Sequence, residues 1–180
     1  MSFLDKYQNI VSEAVEKHVF LDKPEELYAP MNYIMSHGGK RMRPIMVLMA
    51  CDLFGGKLED AIKPALAIEY FHNFTLIHDD IMDEAPLRRN KATIHTLYGL
   101  NIGILSGDNL LFKAYQYFLD LEPVLFKKCL KIFTDTGIVV CEGQQYDVNF
   151  ESMNDVSHDD YIKMITYKTG SLSAASLQIG

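Results

Sequence analysis

The sequence predicts an all-α protein. Long helical stretches are separated by short punctuation rich in Gly, Pro, Asn, Asp and Ser, and strand-like alternation is nearly absent. The first helix is expected over Phe3–Phe20, where charges interrupt the apolar residues throughout. It is amphipathic and lacks the apolar core and small-residue cleavage site of a signal peptide. A second helix is expected over Glu25–Ser36, before the break "SHGGKRMRP". Pro44 stands where proline suits a helix start and opens a third, Pro44–Phe54, which "FGGK" ends. The fourth, Leu58–Glu84, is stopped by Pro86, and "EAPLRRNK" follows as a loop. Further helices are expected over Gly103–Asp120 and Val124–Phe150. After "FESMNDVSHDD" a last one covers His158–Ile179, with Ser157 as its N-cap and two acids in its first turn.

The 180 residues suit one domain or the larger part of one. Hydrophobic residues at 48% and charged residues at 23% describe a soluble globular chain and exclude a disordered one. A net charge of −7 argues against a nucleic-acid partner. The basic residues are nevertheless clustered: Lys40, Arg41 and Arg43 form one knot, and Arg88, Arg89 and Lys91 another. Local positive patches on an acidic protein point to a small anionic ligand. Cys51, Cys129 and Cys141 are scattered in apolar surroundings and read as buried thiols in a reducing compartment. No apolar run approaches the roughly eighteen residues that span a bilayer, so no stable membrane anchor is expected and the cytoplasm is the expected location.

The fourth helix is the informative one. It is apolar on most sides, and its polar residues Glu69, His72, Asn73, Asp79, Asp80 and Asp83 fall mainly in one stripe. A helix apolar nearly all round is buried, so that stripe must face a cavity or polar partners. Asp79, Asp80 and Asp83 also crowd the negative end of the helix dipole, at a cost of about 0.3–1 kcal/mol each. Asp79 and Asp83 are four apart and share a face, a pair suited to Mg²⁺. A solvated acidic helix end is the competing account. Arg88 and Arg89 offer planar forks for phosphate oxygens, or else a surface loop that balances the aspartates. Gly38 and Gly39 permit a tight turn that brings Lys40 and Arg43 to a helix start, a second place for an anion. His72, two turns before Asp79, is either a satisfied core residue or a ligand contact.

The ordered set "GGKRMRP", "LIHDDIMDEAPLRR", "GQQYD" and "YKTGSL" resembles the trans-isoprenyl diphosphate synthases, the polyprenyl synthetases. The resemblance covers nearly the whole chain. It implies an isoprenoid synthase-like helical bundle around a central cavity, acting as a homodimer. It implies Mg²⁺ as cofactor, with isopentenyl diphosphate and an allylic diphosphate as substrates. By position, Asp79 and Asp83 correspond to the metal ligands and Asp80 to a supporting carboxylate. Arg88 corresponds to a contact of the allylic diphosphate, and Lys40, Arg43, His72 and Arg89 to contacts of isopentenyl diphosphate. Lys168 and Thr169 match residues that face the developing allylic cation and its leaving group, while Gln144 and Asp147 face the first motif across the cavity. Helical spacing alone puts Thr75 nearest the aspartate face, and so makes it the floor that limits product length. The resemblance instead puts that floor at Phe74, with products of about C15–C20.

Two departures stand out. Asn90 occupies a position where the family commonly has glycine, and asparagine also tolerates left-handed backbone. The family's second aspartate-rich motif follows "KTG", and nothing in this sequence plays that part. Residues 1–180 are therefore expected to be the N-terminal portion of a single synthase domain, truncated on its C-terminal side and poorly active alone. The rival accounts are a class I terpene cyclase, which has no need of "GGKRMRP", and a non-catalytic partner subunit of a heteromeric synthase. An all-α metal phosphohydrolase would need further spaced histidines and aspartates that the sequence does not offer.

Overall fold

The computed structural model describes residues 3–180. The helices are α1 (Asp5–Lys17), α2 (Glu25–Ser36), α3 (Met42–Leu53), α4 (Leu58–Met82) and α5 (Ile94–Tyr98). They continue with α6 (Leu100–Gln116), α7 (Pro123–Phe150), α8 (His158–Ile165) and α9 (Ser171–Ile179). Between α8 and α9 the chain stays helical but widens into a π-helical turn over Thr166–Gly170.

The core forms around α4, which packs mainly on α6 and α3. Leu66, Ile68, Tyr70 and Ile77 of α4 are almost wholly buried, and each such apolar side chain stabilises the fold by about 1.5–3 kcal/mol. Burial on opposite faces of α4 follows from its nearly continuous apolar sequence. Tyr70 keeps a polar tip satisfied inside this core: its hydroxyl accepts from Tyr117 at 3.1 Å and donates to the His18 carbonyl at 3.4 Å. The termini of the other helices follow local chemistry. Pro123 opens α7 behind Glu122, whose carboxylate accepts from the Val124 amide at 3.0 Å. Ser157 caps α8 by accepting the Asp160 amide at 3.1 Å.

The fold differs from the expectation in three places. The "PLRRNK" loop is a small antiparallel hairpin, β1 (Leu87–Arg88) and β2 (Lys91–Ala92). Its turn residues Arg89 and Asn90 both have positive φ, 52° and 62°, as a two-residue turn of this hand requires. A five-residue helix, α5, precedes α6 where the sequence predicts none. The expected continuous helix His158–Ile179 is divided by the π turn. No helix among the described residues is long and apolar enough to cross a membrane.

Candidate active site

The C-terminal end of α4 is locked by its own backbone. The Ala85 amide bonds to the Asp80 carbonyl at 2.9 Å and the Glu84 amide to that of Ile81 at 3.2 Å, with Glu84 in the left-handed region at φ 48°. This closure fixes the last turn of α4 and turns the chain into the hairpin, which brings Arg88 back over the aspartates. Arg88 Nε donates to Asp80 Oδ1 at 2.7 Å and its Nη2 to Asp79 Oδ2 at 3.2 Å. Asp80 is only 2% exposed and stands behind this arginine, outside the cavity lining. Burial raises its carboxyl above the ordinary range, with Arg88 opposing.

The facing wall is α7 with the π turn. Gly143 makes this packing possible, because a Cβ there would lie 2.2 Å from the Lys168 amide nitrogen and 2.7 Å from its Cα. The close approach aims Lys168 at the aspartates. Its Nζ donates to Asp147 Oδ2 at 2.5 Å and lies 3.0 Å from Asp79 Oδ1. Burial alone would lower the Lys168 ammonium, but its contacts with Asp147 and Asp79 raise it overall. π-helical turns recur at functional sites, and this one carries the "YKTG" residues.

Between these walls lies a cavity of about 340 Å³. Asp79, Lys168, Thr169 and Gln144 line it, and Phe74 and Thr75 lie on the same lining, one to one and a half helical turns back along α4. Asp83 is exposed at the end of α4, where burial and then Asp79 raise its carboxyl while Lys168 opposes. The oxygens here suit a hard cation. Among the described residues no group of three or more His, Cys, Asp and Glu is arranged to hold a metal alone. Mg²⁺ does not ask for one, since it takes one or two carboxylates and completes its shell with water and phosphate. Asp79 Oδ1 is buried and faces Lys168 Nζ at 3.0 Å, so a metal ion there would compete with the lysine for this oxygen.

A second basin of about 360 Å³ opens beside the first. Lys40, Arg43, His72 and Arg89 line it, and Arg43 and His72 line both. Arg43 Nη1 lies 3.2 Å from His72 Nε2. Burial first, and then Arg43, Arg89 and Arg88, push the His72 imidazole down to about 3, so the ring is neutral near pH 7. A guanidinium can only donate, which makes Nε2 the acceptor and puts the ring proton on Nδ1. Arg89 is held by donating to the Gly38 carbonyl at 3.1 Å.

Glu69 lies on the lining of this basin, 8% exposed, with Asn73 Nδ2 at 3.3 Å from its Oε1. The groups around it are Arg41 and Arg43 at the start of α3, Arg89 of the hairpin, and His72 and Asn73 of α4. Burial raises its carboxyl above the ordinary value of 4.5, against the pull of the three arginines. A raised acid favours folding most at low pH, and this contribution is lost as pH climbs through the folded value. Glu69→Gln cannot ionise, so it is expected to gain stability relative to the unaltered protein between about pH 4 and about pH 7. Chemical denaturation at the two pH values checks this, and an equal difference at both contradicts it.

The structure brings together Asp79, Gln144, Lys168, Thr169, Phe74 and Thr75 in one cavity, and Lys40, Arg43, His72 and Arg89 in the other. Asp147 joins the first through Lys168, and Arg88 through Asp79. Asn73, placed on the polar stripe by its spacing, is buried against Glu69 and faces neither cavity. Cys141, expected as a buried thiol, is exposed and lines the first cavity, while Cys51 and Cys129 are buried. Arg41, a member of the expected basic knot with no site role assigned to it, lines the second basin, and His78, to which the sequence pointed in no way of its own, lines the first.

A helical bundle with a carboxylate-edged cavity and an adjoining cationic basin defines a class of site suited to anionic ligands. The chain belongs to the Polyprenyl synthetase family, whose sequence pattern matches residues 24–180. It is 37% identical over 185 residues to the geranylgeranyl diphosphate synthase of Methanosarcina mazei, with 100% of this chain and 57% of that protein aligned. Against the geranylgeranyl diphosphate synthase of Sulfolobus acidocaldarius the identity is 40%, over 100% of this chain and 57% of that one. A crystal structure of geranylgeranyl pyrophosphate synthase superposes with a TM-score of 0.96 at 44% identity, covering 99% of this chain and 55% of that one. The chain thus spans rather more than half the length of these relatives.

Proposed function

We propose that the chain belongs to a prenyltransferase that joins isopentenyl diphosphate to an allylic diphosphate. The observation that carries this is the pair of anion basins sharing the Arg43–His72 wall, one of them edged by carboxylates and continuing past apolar side chains. Asp79 and Asp83 would hold Mg²⁺, with Asp80 keeping Arg88 in place behind them. Bound there, Mg²⁺ supplies charge stabilisation to the departing diphosphate.

Arg88 and Lys168 donate to the allylic diphosphate as its C–O bond breaks and the electron pair leaves with it. Thr169 and Gln144 line the space beside the allylic carbons, and Asp147 orients Lys168. Lys40, Arg43, His72 and Arg89 hold isopentenyl diphosphate so that its double bond attacks the allylic carbon, after which a proton is lost. The apolar walls keep water from the cation. Phe74, with Thr75 beside it, limits the chain to about C15–C20; the geranylgeranyl names of the two relatives above fit the upper end of that range. A class I cyclase, with one diphosphate, leaves the second basin without a purpose. The reading carries with it a cytoplasmic homodimer, for which exposed Leu105 and Phe112 on α6 offer an apolar face.

Titration calorimetry with isopentenyl diphosphate and an allylic thiolodiphosphate, in Mg²⁺, tests the proposal. Both are expected to bind together; mutual exclusion would overturn the two-substrate assignment. A milder variant probes the second basin alone. A Cβ on Gly39 would sit 2.5 Å from Arg89 Nη1, the far end of a flexible side chain. Gly39→Ala is therefore expected to leave thermal stability unchanged while weakening inorganic pyrophosphate binding by about tenfold, roughly one charge-assisted hydrogen bond.

A further inference from the structure

We infer that Gly107 of α6, acting through His78, sets the usable depth of the apolar cavity and hence the length of alkyl chain it accepts. This rests on the proposed prenyltransferase reading and adds a determinant outside the cavity lining. His78 precedes Asp79 on α4 and lines the cavity. Its ring meets Phe74, four residues earlier on the same face, edge to face at 4.7 Å between centroids. On the other side its Nε2 lies 3.3 Å from the Ile104 carbonyl oxygen and 3.6 Å from Asp108 Oδ1.

The ring fits there because α6 has no side chain opposite it. A Cβ built on Gly107 would fall 2.5 Å from His78 Nε2 and 2.6 Å from its Cδ2. Gly107 thus forms a slot, and the Ile104 carbonyl holds the imidazole in it, with Asp108 farther off. Neither Gly107 nor Asp108 touches the cavity. Phe74 is gripped from the other side by Phe71 at 5.6 Å, which in turn packs on the buried Phe133 at 5.1 Å. Phe74 therefore stands between a ring anchored in the core and a ring anchored on α6. Closing the slot drives the imidazole toward Phe74 and the cavity, and removing the ring frees Phe74 to swing. His78 is a positioning residue in this account.

The test is calorimetric binding of geranyl, farnesyl and geranylgeranyl thiolodiphosphate to the 180-residue chain in Mg²⁺. In His78→Ala the affinity for the geranylgeranyl compound relative to the geranyl one is expected to rise at least about tenfold, since each further buried methylene favours binding. In Gly107→Ala the same ratio is expected to fall by a similar factor. A merely structural role would weaken all three ligands alike. An unchanged ratio in His78→Ala overturns the inference while leaving the proposed function standing, and decides the matter even where Gly107→Ala does not fold. Failure of the unaltered chain to bind any of the three overturns both.

Discussion

Gly143→Ala is expected to destabilise the protein by about 3 kcal/mol, the upper part of the range for overpacking a tight interface, and to empty the cavity wall of Lys168. The atoms that the new methyl would meet are the Lys168 amide nitrogen at 2.2 Å and Cα at 2.7 Å, and the Tyr167 carbonyl carbon at 2.7 Å. All are backbone, so no rotamer change relieves the clash. Either α7 separates from the π turn or the π turn unwinds, and both move the lysine that now joins Asp79 to Asp147. Denaturant unfolding measures the first effect, and loss of pyrophosphate binding in whatever fraction remains folded measures the second. A variant as stable as the unaltered protein would show that α7 and the π turn are free to adjust.

Asp79→Ala is expected to act in opposite directions with and without Mg²⁺. Asp79 now lies against two cations, Arg88 Nη2 at 3.2 Å and Lys168 Nζ at 3.0 Å. Without metal, its removal leaves both cations to an incoming anion, and inorganic pyrophosphate should bind about tenfold tighter, as expected for deleting a like charge near the surface. With Mg²⁺ present the unaltered protein should bind pyrophosphate at least about a hundredfold tighter than the variant, because a metal-bridged anion needs the carboxylate. Titration of pyrophosphate in EDTA and in Mg²⁺ separates the two. A metal response of equal size in the variant would exclude Asp79 as a ligand.

These outcomes depend on parts of the site that the sequence revealed unequally. The aspartates, the arginines and the basic knot were legible because each broke a local expectation: carboxylates at a helix C-terminus, clustered cations in an acidic protein. The π turn was not legible. "TYKTGSL" continues a helix by propensity, and the extra residue per turn coincides with the close approach of α7 at Gly143, a tertiary cause. The hairpin escaped notice because two-residue strands are too short to show alternation. Asn90 hinted at its turn, but arginine at φ 52° carries no such signal. Cys141 misled because its neighbours Val139 and Val140 are apolar, and only the packing decides which side of α7 faces a cavity.

The hairpin has a metrical consequence. Arg88 pairs with Asp79 at the edge of one basin and Arg89 lines the other, yet they are consecutive residues, with Cα atoms about 3.8 Å apart by covalent geometry. The turn is thus a gauge of one peptide unit between the backbone origins of the two guanidinium groups. Tyr33, whose hydroxyl donates to the Ala92 carbonyl at 2.9 Å, ties that gauge to α2. Any shift of the hairpin therefore moves both arginines together, one beside the aspartates and one beside Lys40.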